Sequence, residues 1–540
     1  MLKWLGGLGG KPDHPMYSAK EAERILAELP DADAGKALDE VSGWIESVSQ
    51  APDFKPDVRI AVLQVLDDFG HQQQYRLIEQ YLGAARIHDM KSRERCQKAY
   101  EFWSALSEAY LACLANDLKI EGASRPGATD EIALLISRGL RAVAEQERVR
   151  HLSYRPVDKE VWVRLFRLFR MAETTGTTVR SVKAYKYDSQ NTTATQELLR
   201  PLMLEVVSPE SLAPEHVELA ARTVASIANA FALGREPSAA LPFCIDLANP
   251  GRPIQYGDKP PAAPTARYFG PGQAISRLEE LLQFESANRA ADERKAGQES
   301  SRWDRVTVLK HLKRYWGDDR PSRRTGRTRA EGELSVLHSL DAIRTVVTQI
   351  GTDQMDTIEE TVGERKQALT LVPENVDLTP EVWMEKDTSD SGLGAEVPSQ
   401  HGGWVKIGRL CAVKRADSDH WWVGVIRRLD AASGARVATG IQVLSKTPYS
   451  MWLKMVGKEG GLASSWATSS GSHRYDYVDA VLLVPEIEAM AKSVMLVIKP
   501  TDYKPDMVCE ALIGDKPRLI RFGAAVDSGD DFVIVSCEWL

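Results

Sequence analysis

"HWWVGVIRRLDAASGARVATGIQVLS" runs from residue 420 to residue 445. Two stretches rich in Val, Ile, Thr and Trp flank a break of small residues, the pattern of two strands and the turn between them. The surrounding segments "GELSVLHSL", "EVWMEK", "WVKIGRLCAVKR", "SVMLVIKP", "RLIRFGAAV" and "FVIVSCEW" share this texture. From about residue 330 onward the chain therefore reads as antiparallel sheet, closed into barrels or packed as sandwiches. The stretch "GKEGGLASSWATSSGSH" (457–473) reads as a loop between two β units, with a boundary near residue 475.

Upstream the period changes. "SAKEAERILAEL" opens with Ser18 three residues before Glu21, a capping-box signature, and stops at Pro30. "DVRIAVLQVLDDFG", "QQYRLIEQYLGAARI", "AYEFWSALSEAYLACLAND", "EIALLISRGLRAVAEQERV" and "PEHVELAARTVASIANAFAL" space apolar residues three and four apart. Residues 18–240 are expected to form a helical bundle or stacked helix pairs. "WVRLFRLFR" sets Arg164, Arg167 and Arg170 beside Trp162, Phe166 and Phe169. A basic surface for a partner or lipid headgroups is one reading. The spacing favours the other, in which the aromatics enter the core and the arginines stay wet. Residues 245–275 are dense in Pro and Gly and read as a linker. A polar helix is expected over about 275–300, and a further helix, "WDRVTVLKHLKRYW", over 303–316.

A chain of 540 residues is too long for one core. The expected division is a helical domain at 1–244, a linker and polar helix at 245–302, a barrel with its preceding helix and arginine loop at 303–456, and a C-terminal β domain at 475–540. The net charge of −8 argues against a general binder of nucleic acid. Between Arg302 and Arg329, however, ten Lys/Arg face three Asp, leaving about −15 on the remainder. A basic island on an acidic chain suits a confined anionic ligand. Six scattered cysteines read as reduced thiols, and the ten histidines lack H-x-x-x-H spacing, so no metal is expected. No apolar run reaches the ~20 residues of a membrane span, and the glycine-broken start is too short for a signal peptide. The expected compartment is the cytoplasm.

The island ends in "DDRPSRRTGRTRAEGELSV", a loop leading into a strand. Arg320 and Arg324 are four apart, as are Arg323 and Arg327, and both registers are open. Guanidinium groups fork onto phosphate oxygens and stack on purine faces. About 60 residues later comes "KDTSDSGLGAEVP" (386–398), with Asp387, Ser389 and Gly392 in the order Asp-x-Ser-x-x-Gly. A carboxylate can accept from the N1–H and N2–H2 edge of guanine, Ser389 adds a small donor and acceptor, and Gly392 permits a turn or a close backbone approach.

An R-x-x-x-R loop entering a barrel, followed by [D/N]-x-S-x-x-G, resembles the PilZ family, and the phrases "WWVGVIRRL" and "GIQVL" resemble its closing strands. The resemblance covers roughly residues 318–450. It implies a bacterial second-messenger sensor that binds cyclic di-GMP without a metal, with the arginines on phosphate and guanine and Asp387 and Ser389 on a guanine edge. The intervening "DAIRTVVTQIGTDQMDTIEETVGERKQALTLVPENVDLTP" is longer than the family implies.

The expected fold is α+β and multidomain: an all-helical N-terminal half, then a PilZ-like antiparallel β-barrel, then a second small β domain. No G-x-S-x-G, H-E-x-x-H, dinucleotide glycine fingerprint or kinase set is present, so no enzyme is expected. The expected role is a signalling effector whose helical half reaches an unidentified protein partner, with no nucleic acid bound. The alternative is a scaffold with a degenerate barrel that binds no nucleotide.

Overall fold

The computed structural model describes residues 13–29, 33–84, 90–117, 129–257, 259–261, 263–292, 299–318, 320–321, 326–349, 376–398, 403–433, 436–456, 477–483, 493–513 and 516–540. The chain forms two compact units, Met1–Ser322 and Arg323–Leu540.

The described part of the first unit opens with the helices α1 (Ala19–Ala27), α2 (Ala34–Gln50), α3 (Pro56–Leu82), α4 (Met90–Ala112), α5 (Thr129–Leu152), α6 (Lys159–Thr175), α7 (Ala194–Glu205) and α8 (Pro214–Ser226). Local chemistry sets their ends. The Ser18 hydroxyl accepts from the Glu21 amide, Asp33 and Thr193 cap α2 and α7 in the same way, and Gly176 closes α6 in the left-handed region at φ 70°. On α6, Trp162, Phe166 and Phe169 are buried, while Arg167 and Arg170 stay exposed. That helix is an ordinary half-buried face.

Helix α5 departs from the amphipathic expectation. It is buried almost all round, charges included. Its charged residues find partners on neighbouring elements. The guanidinium of Arg141 grips Glu197 of α7 through Nη2 (2.6 Å) and Nε (3.1 Å) and reaches Asp188 through Nη1 (2.7 Å). Arg138 meets the fully buried Asp67 at 3.1 Å, and Tyr110 and Tyr185 donate to the same carboxylate. Burial alone would raise the Glu197 carboxyl, but Arg141 and Arg200 outweigh it and hold it at about 2.

The stretch expected as a linker is structured. With β1 (Ala232–Gly234), the strands β2 (Phe243–Asp246), β3 (Ile254–Gln255) and β4 (Ala266–Gly270) make an antiparallel sheet in the order β1-β4-β2-β3. The prolines lie between the strands, where no ladder amide is needed. Helices α9 (Ala274–Asp292) and α10 (Glu299–Trp316) follow. The sequence grouped 303–316 with the barrel, but α10 packs in the first unit. Trp316 donates to the Met203 carbonyl at 3.2 Å, and His311 bonds the Val207 carbonyl at 2.7 Å.

The second unit holds two six-stranded antiparallel barrels. The first comprises β5 (Thr328–His338), β7 (Glu381–Thr388), β8 (Gly392–Pro398), β9 (Leu410–Arg415), β10 (Trp422–Ser433) and β11 (Arg436–Ser445), in the closed order β10-β11-β8-β7-β5-β9. The second comprises β12 (Tyr449–Met455), β13 (Tyr477–Leu483), β14 (Ser493–Ile498), β15 (Val508–Ile513), β16 (Lys516–Ser528) and β17 (Val533–Trp539), closed by the β12–β13 pairing. Strand β6 (Thr348–Gln349) adds parallel to β12. The expected loop at 457–473 lies outside the described residues.

The start of the long insertion has a structural use. Helix α11 (Leu340–Val346) sends Leu340 and Ile343 into an apolar seam between the barrels, against Val481, Val497, Phe532 and Ile534. Arg344–Asp479 at 2.6 Å and Lys499–Asp341 at 2.9 Å flank that seam. All six cysteines are buried and unpaired, and among the described residues no helix is long and apolar enough to cross a membrane.

Candidate functional site

Strand β5 pairs with β7 so that Thr328 lies opposite Thr388 and Arg329 opposite Asp387. The chain enters β5 through Arg327, which is thus delivered to the end of β7. Its Nη1 donates to Oδ1 of Asp387 at 2.7 Å, although 60 positions separate them. The two side chains remain 40% and 32% exposed, so a ligand can compete for both. The insertion leaves this meeting intact because it departs from one end of the barrel and the motifs occupy the other.

Asp387 is the penultimate residue of β7, and Ser389 begins the turn into β8. The Ser389 amide and hydroxyl both donate to the Gly392 carbonyl, at 2.8 and 3.2 Å. The hydroxyl oxygen keeps its lone pairs for an incoming donor. A Cβ on Gly392 would come within 3.3 Å of that hydroxyl. A tighter constraint falls on Gly394, opposite Asp387 on β8, where a Cβ would meet Oδ1 of Asp387 at 2.5 Å. Register shifts at Arg329/Gly332 and Glu385/Asp387 mark bulges on this rim, which re-aim side chains.

Of the other arginines singled out in the sequence, Arg323 and Arg324 lie outside the described residues. Arg320 belongs to the first unit. Its guanidinium stands 4.8 Å over the Phe243 ring, and Nη2 donates to the Trp316 carbonyl at 3.2 Å. The structure therefore brings together Arg327, Asp387, Ser389 and Gly392.

The same end of the barrel carries residues the sequence reading did not assign to the site. Gln442 lies opposite Gly392, Ser445 opposite Val423, and Val413 opposite Trp422, so β8, β9, β10 and β11 all present their termini here. The Arg415 guanidinium lies 4.9 Å from the Trp422 ring centre and the Lys446 ammonium 5.1 Å from it. Arg415 also pairs with the buried Glu385. An indole near two cations, one of them paired with a buried carboxylate, suits an anionic ligand with aromatic faces. The signal was available in part: the adjacent tryptophans of "HWWVG" suit either the interior of a barrel or its mouth, but Glu385 and Arg415 are assembled only by pairing across β5.

Residues 20–238 match the family model of the cyclic-di-GMP receptor FimW, N-terminal domain. The match covers α1 to α8 and β1, less than half of the chain, and ends before either barrel. No curated protein and no solved structure matches the chain.

Proposed function

We propose that this protein is a cyclic di-GMP receptor whose first barrel is a PilZ-like binding site. The observation that carries the reading is the 2.7 Å contact between Arg327 and Asp387, which unites an arginine segment and an Asp-x-Ser-x-x-Gly turn on one barrel rim. The likeness of the helical part to a domain of a cyclic di-GMP receptor points to the same ligand independently.

Arg327, with Arg323 and Arg324, holds phosphate oxygens and stacks on guanine. Asp387 accepts from the guanine edge, and Ser389 offers its free lone pairs. Trp422, Arg415 and Lys446 supply a further stacking and cationic surface. No bond is made or broken, so the role is binding. The segment from Gly317 to Arg327 joins α10 to β5 along the chain, so nucleotide held at Arg327 biases the helical unit, the part that meets a protein partner.

Titration calorimetry of the whole chain with cyclic di-GMP tests the reading. Saturable, enthalpically resolved binding supports it. A folded protein that releases no heat and shows no shift in melting temperature with the nucleotide overturns it and leaves a scaffold.

Gly394→Ala gives a finer check. The new methyl forces Asp387 off its seat, and we expect about tenfold weaker nucleotide binding with the melting temperature nearly unchanged. Unaltered affinity would mean that Asp387 reads nothing in the ligand.

A further inference from the structure

Glu147 and His151 stand one turn apart on α5, and Glu205, the last residue of α7, reaches the same imidazole. Nε2 of His151 lies 3.1 Å from Oε1 of Glu147 and 3.1 Å from Oε2 of Glu205. One atom from each of the three side chains falls within 4.8 Å of the others, and all three residues are buried. An imidazole nitrogen carries at most one hydrogen, so it can satisfy only one of two oxygens. The consequence is visible. Among the described residues, Oε2 of Glu205 and Oε2 of Glu147 have no hydrogen-bond partner despite their burial. Glu205 is held through its other oxygen by Nε of Arg252, whose side chain is 61% exposed. Two carboxylates aimed at one nitrogen in a helical core leave a place for a cation.

We propose that Glu147, His151 and Glu205 form a structural site for a divalent transition-metal ion of the zinc class. One imidazole nitrogen and two carboxylate oxygens form a donor set that zinc accepts. Metal–ligand distances of about 2.0–2.1 Å give a tetrahedron with edges near ~3.3 Å, close to the two 3.1 Å separations from Nε2 of His151 to the carboxylates. Magnesium and calcium call for six or more oxygen ligands and suit this set poorly. The ion replaces the single shared proton, and the two carboxylates balance its charge while the imidazole stays neutral. Arg252 fixes the orientation of Glu205 from behind, the role of an outer-shell partner. The orphaned Oε2 of Glu147 or a water completes the coordination. The ion staples α5 to α7 and, through Arg252, to the segment before β3. Histidine spacing hid the site, because the nitrogen ligand is single and its partner is Glu147, four residues earlier.

The test uses the whole chain, stripped with a chelator and then given zinc chloride. We expect one zinc per chain by elemental analysis and a rise in melting temperature of about 5 °C on adding zinc back. Cobalt(II) in its place is expected to give the intense visible absorption of a tetrahedral site. Glu205→Gln is expected to lower zinc affinity at least 100-fold. A stripped protein that takes up no zinc and melts unchanged with it overturns the proposal. So does uptake that Glu205→Gln leaves intact, since the ion would then sit elsewhere on the surface. The add-back on the unaltered chain decides the matter even where the variant fails to fold.

Discussion

Replacing Arg323, Arg324 and Arg327 together with alanine is expected to weaken cyclic di-GMP binding at least 1,000-fold while leaving the melting temperature of the ligand-free protein almost unmoved. Charge-assisted hydrogen bonds contribute about 1.5–3 kcal/mol each, so three guanidinium groups exceed the ~4 kcal/mol that such a factor requires. Exposure of Arg327 at 40% explains the small cost to folding, because its pair with Asp387 is a rim contact. Calorimetry on the triple variant checks this, and retained micromolar binding would move the site elsewhere.

Asp387→Ala separates two roles. If Asp387 reads guanine, affinity drops by about 10- to 100-fold, equivalent to about 1–3 kcal/mol. If Asp387 only occupies Arg327 in the empty state, its removal frees a cation for phosphate and affinity rises. The sign of the change tells reader from brake.

The barrel rim was legible in the sequence because its information is local. Asp387, Ser389 and Gly392 occupy one hairpin, and β-branched strands with turn residues between them declare their own period. Meeting across 60 residues was not local. It depended on β5 pairing with β7 at Arg329 and Asp387, which no spacing encodes. Gly394 escaped notice because its reason to be glycine is the carboxylate of Asp387 on the neighbouring strand. The four-stranded sheet around residues 243–270 was hidden by the prolines that separate its short strands. Helix α5 was legible as a helix, but its burial was not, for a physical reason. Periodicity assigns charged residues to water, yet Arg141, Arg148 and His151 are buried because Glu197 and Glu205 of α7 and Glu218 of α8 meet them there.

That burial makes Arg141→Met the substitution with the largest expected effect on stability. Glu197 is fully buried and accepts two of its hydrogen bonds from Arg141, so truncating the cation leaves a carboxylate short of its main partner. Breaking a buried pair from one side costs about 3–5 kcal/mol, and the first unit is expected to melt about 10 °C lower. The pH dependence gives a second readout with a fixed sign. In the native protein Glu197 is held at about 2, below the ordinary 4.5. Its stabilising contribution is therefore complete above pH 4.5 and is lost as the pH falls toward 2. Without Arg141, burial pushes the same carboxyl upward, so the variant gains stability when acid neutralises it. The gap between the two proteins should be widest near pH 7 and narrow below pH 4.5. Adding Glu197→Gln to Arg141→Met should recover part of the loss at neutral pH, since no uncompensated charge then remains in the core. Equal melting of native and variant protein at pH 7, or a gap that widens in acid, would show that the Arg141–Glu197 contact contributes packing and no charge balance to the helical unit.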